Sequence, residues 1–149
     1  MKKLFLFFVA IAFSVASFAH SDENWQESDM LKNMQLEDKA ALLMVHFGTS
    51  DDDTRAATID ALNKKAQQEF PQLAFAEAYT SRMIINILGK RGVEKDTPLE
   101  ALLKLRAAGF THIVVQSSNV IDGAEMESLR KDIAQVEQFF KEVRVGAPL

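Results

Sequence analysis

From Ala40 to Ser50 the chain reads A-A-L-L-M-V-H-F-G-T-S and runs on into D-D-D-T. A continuous apolar run, a small polar turn and an acidic helix start follow one another without a gap. That order describes a strand buried on both faces, which delivers a loop to the edge of a parallel sheet. The pattern recurs: Leu73–Ala78 leads into Tyr79-Thr80-Ser81, and Thr111–Gln116 leads into Gln116-Ser117-Ser118-Asn119. A short fourth strand begins at Val143-Arg144-Val145-Gly146. Helical periodicity fills each interval, so the expected fold is α/β: a four-stranded parallel sheet with helices on both faces. Parallel strands place their carboxyl ends on one edge, where open α/β sheets bind ligands.

The helices are legible from their ends. Ser50 or Asp51 can cap a helix whose first turn holds Asp51, Asp52 and Asp53, and its stripe is Ile59, Leu62, Ala66 and Phe70 before Pro71. The aspartates lack the calcium-loop spacing, which favours capping over metal binding. Arg82–Leu88 carries Met83, Ile84, Ile87 and Leu88 on one face and ends at Gly89 and Gly92. Thr97 caps the next helix, with Pro98 at its first position and Leu99, Leu102 and Leu103 as its stripe. Gly123–Lys141 reads as one long helix burying Met126, Leu129, Ile133, Val136 and Phe140.

A net charge of −4 over 149 residues argues against a nucleic-acid partner, which would need a basic face. The absence of cysteine excludes disulfides, thiolate metal sites and a Cys nucleophile. Met1-Lys2-Lys3, the apolar run Leu4–Ala16 and the small residues Ser17 and Ala19 have the layout of a signal peptide over residues 1–19, cleaved before His20. The run is too short to span a bilayer, so no stable membrane anchor and a periplasmic location are expected. Residues 20–39 read as a polar, flexible leader with a helical turn over Met30–Leu36, and 40–149 as the folded domain.

No nucleophile elbow, P-loop or dinucleotide fingerprint is present, and no two histidines lie at metal-ligand spacing on a helix. His20 sits at the cleavage site and His112 at the amino end of a strand, where a structural role is expected. His46 alone meets the crevice edge, where an imidazole could ligate a metal, shuttle a proton or simply bond to backbone.

The segments L-L-M-V-H-F-G-T-S (Leu42–Ser50), A-Y-T-S-R-M-I-I (Ala78–Ile85), T-P-L-E-A-L-L-K-L (Thr97–Leu105) and G-F-T-H-I-V-V-Q-S (Gly109–Ser117), with the tail V-G-A-P-L, resemble in order and spacing the CbiK-type anaerobic sirohydrochlorin cobaltochelatases. The resemblance implies a class II chelatase fold, in which two similar α/β halves hold a tetrapyrrole between them. The implied activity is that of a sirohydrochlorin cobaltochelatase, insertion of Co2+ or another divalent metal into a tetrapyrrole, without nucleotide, in anaerobic cobalamin biosynthesis. On this resemblance Phe47, Gly48, Thr49, Ser50, Tyr79, Thr80, Ser81, Gln116 and Ser117 would bind the macrocycle, and His46 is the candidate metal ligand. Family members are about twice as long, and their metal-binding and proton-abstracting residues lie mainly in the half that follows V-G-A-P-L. The chain is therefore expected to be an amino-terminal half, completed by a separate carboxyl-terminal half or by a homodimer. Two positions depart from the family pattern: Asn119 stands where members often carry His, and His46 where they carry a small residue. The alternative is a periplasmic haem- or tetrapyrrole-binding protein without chelatase activity of its own, with haem as its ligand.

Overall fold

The computed structural model describes residues 29–149; the expected signal segment and His20 lie outside the described residues. Four parallel strands, β1 (Ala40–His46), β2 (Ala74–Tyr79), β3 (His112–Ser117) and β4 (Glu142–Val145), pair in the order β2-β1-β3-β4. β1 lies inside the sheet, and Val45 pairs with Ala78 on one side and Ser117 on the other. Its position explains its sequence: six of its seven residues are buried, so neither face tolerates a charged side chain.

Parity then sorts the side chains between two faces. Ala41, Leu43 and Val45 join Ile113 and Val115 in the main core. That face is covered by α4 (Pro98–Ala107), through Ala101, Leu102 and Leu105, and by α5 (Ala124–Val136), through Met126, Leu129, Ile133 and Val136. On the other face a helical run consists of α1 (Asp52–Arg55), a π-helical turn over Ala56–Asp60 and α2 (Ala61–Glu69). Its Asn63 reaches the sheet at His46 and Glu77. A smaller cluster joins Tyr79 to Ile84 and Leu88 of α3 (Arg82–Lys90).

Several expected stripes are displaced in detail. α4 buries Ala101, Leu102 and Leu105, whereas Leu103 is exposed. On α3 only Ile84 and Leu88 are buried, and Met83 and Ile87 face solvent. The helix after β1 buries only Asn63; Ile59, Leu62 and Ala66 are half-buried, and Phe70 is exposed. The long helix expected over Gly123–Lys141 ends at Val136 and passes through a tight turn at Glu137–Phe139, which leaves Phe140 buried.

The leader is held against the domain. Met30 is buried within a turn over Asp29–Asn33, shorter than the helical turn expected over Met30–Leu36. Asp38 binds Lys141 at the start of β4 with Nζ 2.7 Å from Oδ1. The Lys141 ammonium and the Gln35 amide hold the Asp38 carboxyl at about 2. Among the described residues, no helix is long and apolar enough to cross a membrane.

Candidate functional site

In the order β2-β1-β3-β4 the chain first winds to one side of β1 and then to the other. The connections leave the sheet in opposite directions between the carboxyl ends of β1 and β3, which opens a crevice there. An open cleft of about 400 Å³ occupies this place. His46, Phe47, Gly48 and Thr49 line it from the end of β1, and Ser118 and Asn119 from the end of β3. Thr54, Thr58, Ile59 and Leu62 form a wall from the helical run after β1, and Leu149 closes one side. The π-helical turn contributes Thr58 and Ile59, which a regular helix would carry round to a different angle. Hydroxyl and amide groups thus sit beside Phe47, Ile59, Leu62 and Leu149, a lining that offers both hydrogen-bonding groups and apolar surface.

His46 is buried at the floor of this cleft, with 1% of its surface exposed. Its Nδ1 lies 2.8 Å from Ser118 Oγ and its Nε2 lies 2.8 Å from Asn63 Oδ1. Asn63 Nδ2 donates to Glu77 Oε1 at 2.9 Å, and Lys95 Nζ donates to Glu77 Oε2. The proton positions follow from these partners. A carboxylate only accepts, so the Asn63 amide must turn its NH2 to Glu77 and its oxygen to His46. His46 therefore carries its proton on Nε2, and its Nδ1 lone pair accepts the Ser118 hydroxyl. Burial pushes the imidazole below its ordinary range, against the opposing pull of Asn63 and Glu77.

His46 was expected to serve as the metal ligand. In the structure both ring nitrogens are engaged within the protein, so ligation would cost either the buried bond to Asn63 or the half-buried bond to Ser118. Among the described residues, no three His, Cys, Asp or Glu side chains are grouped to hold a metal ion.

Of the residues expected to bind a macrocycle, Phe47, Gly48 and Thr49 line the cleft. Ser50 lies just past it, with its carbonyl accepting from Arg91 at 2.5 Å. Tyr79, Thr80 and Ser81 are outside the lining, because β2 is the edge strand on the side of β1 away from β3. They support the loop from below: Thr80 N donates to His46 O at 2.8 Å, and Ser81 N to Phe47 O at 3.2 Å. Ser81 also caps α3, and Tyr79 is fully buried against Gly48. Gln116 is a strap, donating to the carbonyls of Ser117 (2.8 Å) and Ala147 (2.9 Å). Ser117 is buried, and its hydroxyl accepts the Asn119 amide at 3.0 Å. The lining residues of this loop are the next two, Ser118 and Asn119. Asn63 carried no sequence signal, since a polar residue beside a helical stripe reads as solvent-facing.

Residues 40–149, the whole sheet and its helices, match the family described as "Cobalt chelatase (CbiK)". The chain is 38% identical over 112 residues to the "Sirohydrochlorin cobaltochelatase" of Salmonella typhimurium, covering 74% of this chain and 42% of that protein. It is 30% identical over 129 residues to the "Sirohydrochlorin cobaltochelatase CbiKC" of Nitratidesulfovibrio vulgaris, covering 84% of this chain and 45% of that one. The matched region spans less than half the length of either relative. With the family model spanning every strand and every residue that lines the cleft, the chain belongs to the cobalt chelatase (CbiK) family.

Proposed function

We propose that this chain forms one wall of a cobaltochelatase active site, binding sirohydrochlorin while Co2+ enters as substrate. The observation that carries this reading is the position of the cleft. It lies at the switch point between β1 and β3, within residues 40–149, which match the cobalt chelatase family. Hydroxyls and amides of the β1 and β3 loops would meet the carboxylates of the macrocycle, and Phe47, Ile59, Leu62 and Leu149 would meet its ring face. The opposite wall would come from a carboxyl-terminal half or from a second copy of this chain, and the ammonium-rich amino terminus would direct export to the periplasm.

Titration of the purified chain with sirohydrochlorin, followed by absorbance, tests the reading. A saturable shift is expected, weakened at least severalfold by Thr49→Val or Asn119→Leu. No shift at any protein concentration sinks it. Export has its own check: mass spectrometry of the protein recovered from a periplasmic extract should find His20 as the first residue.

A further inference from the structure

The hydrogen-bond chain beneath the cleft has a direction. Glu77 fixes the Asn63 amide, Asn63 fixes the His46 tautomer, and His46 Nδ1 fixes the Ser118 hydrogen. Because that hydrogen is committed inward, Ser118 Oγ can offer the cleft only lone pairs. Ser118 lines the cleft, and a ligand group that reaches its hydroxyl would meet this oxygen as an acceptor. The ligand group it suits is an N–H or O–H donor, and behind it stands a neutral imidazole able to receive the proton passed on.

We propose that Ser118 and His46 form a proton relay that accepts an inner N–H proton of a macrocycle bound in the cleft as a divalent metal enters. The proposal rests on the tetrapyrrole reading above. In the step, a pyrrole N–H bond breaks and its electron pair stays on nitrogen for the metal. The proton bonds to Ser118 Oγ while the Ser118 O–H proton moves to His46 Nδ1, leaving an imidazolium. This disposes of one of the two protons a divalent metal displaces. Proton loss back through Ser118 to water, once the product has left, resets the relay.

The surroundings suit an imidazole that is neutral at rest and charged in passing. Burial favours the neutral ring, while Glu77 and Asp60 favour the cation and Lys95 opposes it. Tyr79 packs edge-on against the ring, with centroids 6.2 Å apart, and Lys95 Nζ lies 4.9 Å from the Tyr79 centroid. Asn63 and Glu77 act through His46 and are positioning residues, whereas Ser118 is the group that would touch the ligand. A general base aligned in this way contributes rate only if its proton path is intact.

The test compares two probes on the full chain, sirohydrochlorin with its inner N–H groups and zinc sirohydrochlorin without them. Ser118→Ala should weaken free-base binding by roughly tenfold, the cost of one lost hydrogen bond, and leave the zinc complex within about twofold. Ser118→Thr, which keeps the hydroxyl, should retain the wild-type difference. Nitrogen-15 spectra of the histidines should show His46 as the Nε2–H tautomer in the wild type and a mixture in Asn63→Leu. Equal losses for both probes, or none, overturn the relay while leaving the tetrapyrrole reading intact. An Nδ1–H tautomer in the wild type overturns the relay without reference to any ligand. Failure of the wild type to bind either probe overturns both readings.

Discussion

At Gly48 the backbone turns with φ of +100°, and a Cβ built there would lie 2.5 Å from Tyr79 Cδ2. The left-handed region and the packing against an aromatic ring each demand glycine. Tyr79 is fully buried, held beneath the loop by the bonds from Thr80 to His46 and from Ser81 to Phe47, so it cannot swing aside. Gly48→Ala is expected to destabilise the fold by about 2–4 kcal/mol, combining strained φ with overpacking. Urea unfolding of the two proteins measures this; a loss below about 1 kcal/mol would show that the loop can move off the ring. The glycine was legible in H-F-G-T-S, but its partner was not. Tyr79 read as the first residue of a polar turn, because nothing in a sequence distinguishes a Tyr that ends a buried strand from one that opens a loop.

Among the elements, β2 and β3 each run one residue later than their patterns suggest, ending at Tyr79 and Ser117. The ladder decides this: Val45 pairs with Ser117 and His46 with Tyr79, so β1 extends its neighbours past their apolar cores. The consequence for the site is a shift from Gln116 and Ser117 to Ser118 and Asn119. Element type and order were readable from periodicity, whereas strand ends depend on pairing partners distant in the chain. Helix starts were more legible, since caps are local. At α4 Thr97 and Glu100 close a capping box under Pro98. Thr97→Ala should cost about 1 kcal/mol, seen as a lower urea midpoint with unchanged slope. A changed slope would instead mean that the denatured or native ensemble had altered.

For the molecule as a whole, one ion pair ties the leader to the last strand. The Asp38 carboxyl is held at about 2 by its bond to Lys141, below the roughly 3.9 of an unfolded Asp. The folded state therefore binds the proton less readily than the unfolded chain. The stabilisation is fully present above about pH 4 and disappears as pH falls towards 2. Thermal melts of wild type and Lys141→Met should differ at pH 6 and converge near pH 2. A gap that persists at pH 2 would show that Lys141 acts through packing instead. The wider architecture, a parallel sheet with its crevice on one edge, was legible because β1 announces itself as buried on both faces. Which two loops share the crevice was not, since this depends on strand order, and three strands had similar polar endings.

The segment after β4 runs on alongside β3 and its loop: Gly146 N donates to Val115 O at 2.8 Å, and Leu149 N to Asn119 O at 2.9 Å. Leu149 consequently stands at the rim of the cleft, next to the loop that carries Ser118. For laboratory work this makes position 149 a sensor. A small environment-sensitive fluorophore at the same position would report each arrival and departure directly.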